Sequence, residues 1–301
     1  MAMAKSMEKQ AERLLVSRHL ELSSRHLAKA RGDAPSKIRS LSTFHRYRQA
    51  LILAGKWARL HHGIRRLDHL TPAMAEAYLD HRRTSGISQK QLDNDRAAMQ
   101  FVTGKLASVK SLVTPLKESR VYSRDEVERI AARQSEKNGL ATRIAYDAGL
   151  RAHELLTLRR RDEDRPAWSR DWRSDRFQGR TGVRYVVRGK GGLAREVLLS
   201  PELSKALEAH RLDEPRALTD RSIPYVSYYE IGGGMAWSKS FTKCSQRELG
   251  FSRGGHGLRH SYVQMRYDWF CARGFSVAQA KLIVSQEMGH FRPNVVETYL
   301  R

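Results

Sequence analysis

Helical spacing of apolar residues is the feature that most restricts the fold of this chain. Through residues 7–107 apolar positions recur every three or four residues, and no run alternates as a strand would. Separate helices are predicted there, over residues 7–30 (as one helix or two short ones), 37–60, 71–83 and 89–107. The clearest start is Thr71 followed by Pro72, because threonine caps helix N-termini and proline fits the first turn. The pattern predicts an all-α unit over residues 1–110, with 1–34 as an N-terminal helical extension.

A second unit with a different pattern follows. Residues 111–121 contain a proline and no firm periodicity, which favours a linker. Ser123 and Glu126 then match a capping box, so a new unit is predicted over 122–301. This unit is mostly helical with one β signal, in which two apolar runs flank the glycine-rich turn 189–192. The predicted fold class is mainly α with a small β-hairpin or sheet, as an all-α unit followed by a mixed α/β unit.

The net charge restricts the partners of the chain. Lys and Arg number 55 against 32 Asp and Glu, which gives +23. The excess is shared, with 22 basic and 10 acidic residues before Arg120 (+12) and 33 and 22 from there on (+11). A field of this strength attracts polyanions, and each neutralised phosphate releases counterions. Nucleic acid is therefore the expected partner of both units, although ribosome-associated and membrane-surface proteins can also be this basic.

Several classes of protein are disfavoured by what the sequence contains. No apolar run approaches the roughly 20 residues that span a bilayer, and the first residues lack the apolar core of a secretory signal. We therefore expect a cytoplasmic protein with no membrane partner. Cys244 and Cys271 are too few for a disulfide framework or a cysteine-built zinc site, and free thiols are expected. Neither a metal nor a cofactor is expected.

Three short stretches of the second unit combine residue types suited to phosphate chemistry. They are a Gly-Arg-Glu group at Gly149, Arg151 and Glu154, a His-Arg pair at His256 and Arg259, and a Gly-His-Tyr group at Gly289, His290 and Tyr299. A guanidinium fork matches two phosphate oxygens and stays charged. A helical turn would place the His-Arg pair on one face. A tyrosine phenol can attack phosphorus as a covalent nucleophile.

Together these stretches resemble the signature of the tyrosine recombinase (phage integrase) family. That signature is an Arg in a Gly-Leu-Arg-x-x-Glu-Leu context, a His-x-x-Arg, a Gly-His, and a Tyr nine residues beyond, all present here in the family's order. Lys190 between glycines, with Arg195 downstream, looks like the family's lysine at a β-hairpin tip. The resemblance covers about 120–301 by motif and extends weakly into 35–107.

The resemblance implies a site-specific recombinase or integrase, of the kind that serves mobile elements. The first unit would be a core-binding domain that clamps double-stranded DNA, and the second a catalytic domain that forms a 3′-phosphotyrosine intermediate. Four protomers would assemble on DNA, and accessory DNA-bending proteins are further candidate partners. The implied setting is a bacterial nucleoid or a phage-infected cell.

The resemblance also implies a role for each matched residue. Tyr299 would be the nucleophile, and Arg151 and Arg259 would stabilise the transition state. Lys190 would protonate the leaving 5′-oxygen, and Glu154 would orient an arginine or histidine. The two motif histidines, His256 and His290, would bond phosphate oxygens or manage the tyrosine proton.

Two other interpretations are consistent with the same sequence. A type IB topoisomerase-like relaxing enzyme shares the chemistry, and relaxation of any plasmid by a monomer would favour it. A non-catalytic DNA-binding protein could keep the fold. The second is disfavoured, because a decayed site would be expected to lose at least one of Arg151, Arg259, His290 and Tyr299.

Some notable residues lie outside the motif. His260 and His153 have no place among the motif histidines and are expected to be structural or to contact DNA. Tyr262 is expected in the core. The interval between Arg151 and Lys190 is long, and its arginine-rich part, Trp168–Arg184, is a candidate DNA-facing loop.

Overall fold

The computed structural model describes residues 6–19, 37–114 and 118–300. The chain forms two compact units, divided between Leu116 and Lys117. Helices build both units, and in the described ranges the strands belong to the second. This arrangement confirms the predicted fold class. In the part of the chain described, no helix is both long and apolar enough to cross a membrane.

The first unit is a group of helices around one core. Its helices are α1 Met7–His19, α2 Leu41–His62, α3 Pro72–Thr84 and α4 Gln89–Thr103. The Thr71 side chain accepts a hydrogen bond from the Met74 N–H, so the predicted start of α3 is confirmed. The fourth helix is shorter than predicted because Gly104, at φ 80°, ends it. The predicted 7–30 helix is observed as far as His19, and its continuation over 20–30 falls outside the described residues.

The second unit contains the remaining helices. They are α5 Arg124–Ala132, α6 Glu136–Ala148, α7 Pro201–Ala209, α8 Gly234–Leu249, α9 His256–Cys271 and α10 Val277–Glu287. The capping box predicted at the start of α5 is present, with Ser123 and Glu126 each bonding the other's backbone N–H. Short 3-10 turns connect the elements at Glu154–Thr157, Lys190–Gly192 and Pro293–Thr298.

Two small antiparallel sheets complete the second unit. The first has the order β1-β2-β3, and the second pairs β4 with β5. The strands are β1 Arg159–Arg160, β2 Val183–Arg188, β3 Ala194–Leu199, β4 Arg211–Asp220 and β5 Ile223–Tyr229. The β2–β3 hairpin is the predicted one. The expectation of a single β signal was wrong, because β4 is mostly solvent-exposed and carries charges and a proline in place of alternating apolar residues.

Two apolar clusters support the site in the second unit. The larger cluster joins α5, α6 and α8 to the sheet and contains Trp237 and Phe241. The other lies between α9, α10 and the last 3-10 turn, and it includes Val284, Val296 and Tyr299. The segment that carries Tyr299 is thereby packed against the two helices before it.

Candidate active site

Gly149 sets the direction in which the chain leaves α6. Its φ of 61° is left-handed, and a Cβ there would lie 2.7 Å from the Tyr262 ring. Glycine alone combines that backbone with such a close approach. Its carbonyl accepts a hydrogen bond of 2.5 Å from Nη1 of Arg259. The turn therefore fixes one side of the site and starts the segment that carries Arg151.

Gly149→Ala is expected to lower the free energy of unfolding by about 3 kcal/mol, from a left-handed alanine and a clash with the Tyr262 ring. The matched control is Gly250→Ala, since Gly250 ends α8 at φ 76° with nothing within 4 Å of an added Cβ. The control should lose only about 1 kcal/mol. Denaturant unfolding of both variants measures the difference, and equal losses would show that the Tyr262 contact does not matter.

Glu154 is the centre of the site. Its side chain is fully buried and forms salt bridges with Arg151 (2.6 Å), Arg195 (2.8 Å) and Arg259 (3.6 Å). It also accepts the backbone N–H of Arg151 at 2.9 Å. Burial by itself raises the pKa of Glu154, but the three arginines outweigh it and hold that pKa well below the ordinary value. The carboxylate is thus ionised at neutral pH and holds three guanidinium groups together.

Arg259 lies in the first turn of α9 and is completely buried. Its Nη1 and Nη2 donate to the carbonyls of Gly149 (2.5 Å) and Met288 (2.6 Å), which follow α6 and α10 respectively. Burial and the neighbouring charge of Arg151 lower the pKa of Arg259 to about 10, so the group stays charged at neutral pH. Its orientation is set by these carbonyls before any ligand arrives.

The two motif histidines are neutral at physiological pH. Burial, with the charges of Arg259 and Arg151, lowers the pKa of His290 to about 3. Nη2 of Arg151 lies 3.1 Å from Nε2 of His290, which as a neutral nitrogen accepts this bond. His256 is solvent-exposed at the start of α9, but the protein atoms packed around its ring, followed by the charge of Arg259, lower its pKa to about 4. Both rings are therefore uncharged at neutral pH, and each has a ring nitrogen that can accept a hydrogen bond.

Tyr299 follows the last 3-10 turn and is 6% exposed. Its hydroxyl lies 3.4 Å from Nε of Arg259. The ring centroid is 5.8 Å from that of His256 and 4.8 Å from that of His260. The residue chosen from sequence spacing thus lies against the His-Arg pair of α9.

The hairpin that carries Lys190 approaches the same carboxylate. A Cβ on Gly189 would lie 3.2 Å from Oε1 of Glu154 and 3.8 Å from Nη1 of Arg151. Lys190 begins the 3-10 turn at the hairpin tip, while its side chain lies outside the described part of the structure. The backbone of the tip is therefore beside the arginine cluster.

Arg195 is a residue of the site to which sequence reasoning assigned no role. Its buried guanidinium donates to Glu154 (2.8 Å) and to the carbonyl of Glu287 (2.7 Å). Gly289 packs on its side chain, since a Cβ there would lie 2.6 Å from Cδ of Arg195. Arg195 thus joins β3, the Arg151 turn and the segment before His290. The sequence signal that could have indicated a buried role for Arg195 is the charged pair Arg195 and Glu196 at the start of an otherwise apolar strand.

His260 is a second residue that the motif does not cover. It is 4% exposed, and besides Tyr299 it contacts His256, with ring centroids 5.5 Å apart. Its position one helical turn after His256 could have indicated a shared face.

Glu287 and Arg266 form a second buried ion pair behind the site. Nη2 and Nε of Arg266 donate to the Glu287 carboxylate at 2.9 and 3.0 Å, and the Tyr262 hydroxyl donates to it at 2.9 Å. The pair fixes the end of α10, directly before Met288 and His290. Within the described residues, no group of three or more His, Cys, Asp or Glu is placed to hold a metal ion.

Solved structures with a similar fold include several complexes with DNA. XerH site-specific recombinase bound to palindromic difH (post-cleavage complex) has a TM-score of 0.56 at 17% identity, over 99% of this chain and 94% of that one. A lambda integrase dimer bound to a COC′ core site gives 0.58 at 14% identity, over 98% and 76%. The chain has the tyrosine recombinase fold.

A third structure supports the same comparison. The Tn1549 transposon integrase in complex with a circular intermediate DNA has a TM-score of 0.51 at 12% identity, covering 96% of this chain and 94% of that one. No protein-family model and no curated protein matches the sequence. At these identities the comparison establishes the fold, and it confirms the architecture that the motifs implied.

Proposed function

We propose that this chain is a site-specific DNA recombinase that cleaves and rejoins DNA through a 3′-phosphotyrosine at Tyr299. The observation that carries the proposal is the Tyr299 hydroxyl 3.4 Å from Nε of Arg259, within a site where Arg151, Glu154 and His290 are joined by direct hydrogen bonds. The residues in contact there come from four separate sequence elements, which contain Arg151 and Glu154, Arg259, His290 and Tyr299. The fold shared with DNA-bound recombinases supports the same reaction.

The reaction needs one nucleophile and two proton transfers. The Tyr299 oxygen attacks the phosphorus, and its proton passes to a neutral imidazole. His256 is proposed for this role, since its ring centroid lies 5.8 Å from that of Tyr299. The bond from phosphorus to the 5′-oxygen breaks, and that oxygen takes a proton to leave as a 5′-hydroxyl. Attack by a 5′-hydroxyl on the phosphotyrosine reverses these steps. The ester energy is retained, so rejoining requires no nucleotide.

Arg151 and Arg259 are proposed to stabilise the negative charge that develops on the non-bridging phosphate oxygens. Glu154 and the surrounding carbonyls hold both guanidinium groups before the reaction, so little reorganisation is needed. His256 and His290 are neutral and do not suit the role of acid. The 5′-oxygen therefore takes its proton from another group, and Lys190 on the hairpin tip is the proposed acid.

The proposal extends to the partners. The first unit carries +12 of the net charge up to Arg120 and is assigned to clamping duplex DNA as a core-binding domain. Since Tyr299 is 6% exposed, a phosphodiester reaches it only when the turn Pro293–Thr298 shifts. Exchange between two duplexes requires four protomers on DNA, and mobile-element ends are the proposed substrates.

The test is incubation of the full chain with nicked suicide substrates built from candidate element ends. We expect an SDS-resistant protein–DNA adduct on a subset of the sequences, with the DNA attached to the peptide that contains Tyr299 by mass spectrometry. Attachment to another tyrosine, or no adduct on any substrate, would contradict the proposal. Relaxation of any supercoiled plasmid without site preference would indicate a topoisomerase instead.

A further inference from the structure

An exposed tryptophan lies on a turn of the arginine-rich loop. Trp168 is 95% exposed, the largest exposed fraction among the large apolar residues described. An indole offers roughly 150–250 Å² for burial, so leaving it in water forgoes considerable stabilisation. We propose that Trp168 stacks on an unpaired base of the DNA beside the cleaved phosphodiester, and that Arg165 and Arg170 bind the adjoining phosphates. The inference rests on the proposed function, which supplies the DNA.

The turn that carries Trp168 is held in place by other residues. The N–H of Arg170 donates to the carbonyl of Ala167 (3.2 Å), which also accepts from Nε1 of Trp172 (2.9 Å). The N–H of Ala167 donates to the Ala194 carbonyl at 3.0 Å. The fold therefore presents the indole on an anchored turn, which limits the entropy lost when a ligand binds.

The anchors of this turn are parts of the candidate active site. Ala194 begins β3 and is separated from the Lys190–Gly192 turn by Leu193 alone. On the other side, the Trp172 ring lies 4.9 Å from that of Phe291, the residue after His290, and the guanidinium of Arg170 lies 4.9 Å above the same ring. The turn that presents the indole therefore contacts both the strand that follows the hairpin tip and the segment that follows His290.

The surroundings of the turn suit nucleic acid. A groove of about 510 Å³ beside it is lined by Arg161, Asp162, Arg165 and Pro166. Arg161 pairs with Glu196 at 3.0 Å, whereas the Arg165 side chain has no salt bridge to any residue the structure describes. Arginine next to an aromatic platform binds phosphate and base together, which is how proteins hold single strands. The net charge of +23 favours a polyanion as the occupant of this surface.

An exposed aromatic ring beside the cleaved phosphodiester would assist strand exchange. The end of a cleaved strand must leave its own duplex before it pairs with another, and unstacking its bases costs a few kcal/mol. An aromatic face next to the cut offsets part of this cost and holds the released base.

The test is equilibrium binding of the full chain, by fluorescence anisotropy, to a mixed-sequence duplex of about 30 base pairs. One form is fully paired and the other has about three unpaired nucleotides at its centre. Wild type should prefer the unpaired form on the order of tenfold. Trp168→Ala should lose that preference and keep its affinity for paired DNA, and Trp168→Phe should retain most of it. Val277→Ala, at another exposed apolar residue (54%), is the matched control and should resemble wild type.

Retention of the preference by Trp168→Ala, or its absence in wild type, would overturn the inference. So would a Trp168→Ala protein that differs from wild type only in self-association by sedimentation, since the surface would then serve a second copy. The binding readout needs no cleavage, so a wild type with the preference but no covalent adduct would contradict the proposed function alone. Adduct formation without the preference would contradict only the role of Trp168.

Discussion

Tyr299→Phe is expected to abolish the covalent protein–DNA adduct, a loss of at least about 1,000-fold in the rate of its formation. The substitution removes one oxygen and leaves the ring against His256 and His260. Among the residues that the structure describes, that oxygen has one hydrogen bond, the long contact of 3.4 Å with Arg259, so the free energy of unfolding should change by less than about 1 kcal/mol. Gel analysis of suicide substrates measures the adduct, and thermal unfolding checks the fold.

Tyr267→Phe is the matched control for this variant. Tyr267 lies on α9, about two helical turns after Arg259, and is partly buried against the apolar cluster of α9 and α10. It should form the adduct at the wild-type rate. If Tyr299→Phe still formed an adduct, the nucleophile would be another group and the proposed chemistry would fail.

Glu154→Ala is expected to lower the free energy of unfolding by about 3–5 kcal/mol. The substitution leaves the buried guanidinium groups of Arg195 and Arg259 without their shared carboxylate. The pKa of Glu154 is held well below its ordinary value, so its contribution to stability is complete above the ordinary value. That contribution is lost as the pH falls through the folded value. Denaturant unfolding at neutral pH measures the loss.

Glu248→Ala is the control, because Glu248 also pairs with two arginines, Arg129 (3.1 Å) and Arg133 (2.9 Å), but at the surface. Its loss should be within about 1 kcal/mol. If Glu154→Ala does not fold, Glu154→Gln keeps the shape and removes the charge, and it should fold with reduced stability and slower adduct formation. Equal stability of the Glu154 and Glu248 variants would show that the buried arginines do not depend on Glu154.

Local signals predicted the helices of the first unit, the start of α5 and the main hairpin. The Thr71 cap and the Ser123–Glu126 capping box act between residues at most three positions apart, so the sequence alone reveals them. The β4–β5 sheet was not predicted. Its backbone hydrogen bonds do not depend on which side chains are present, and β4 is largely exposed and polar. Such strands leave no alternation of apolar residues to detect.

The sequence by itself determined which residue types form the candidate site, and it selected Tyr299 by its spacing from His290. It could not show that Arg195, Arg259 and Glu154 are buried together, since arginine and glutamate are ordinarily solvent-exposed. Only the tertiary structure brings Arg195 and Arg259, distant along the chain, to 2.8 and 3.6 Å from the Glu154 carboxylate. A buried charge is stable only beside its partner, so burial and pairing arise in the same folding event, and neither can be read from local sequence.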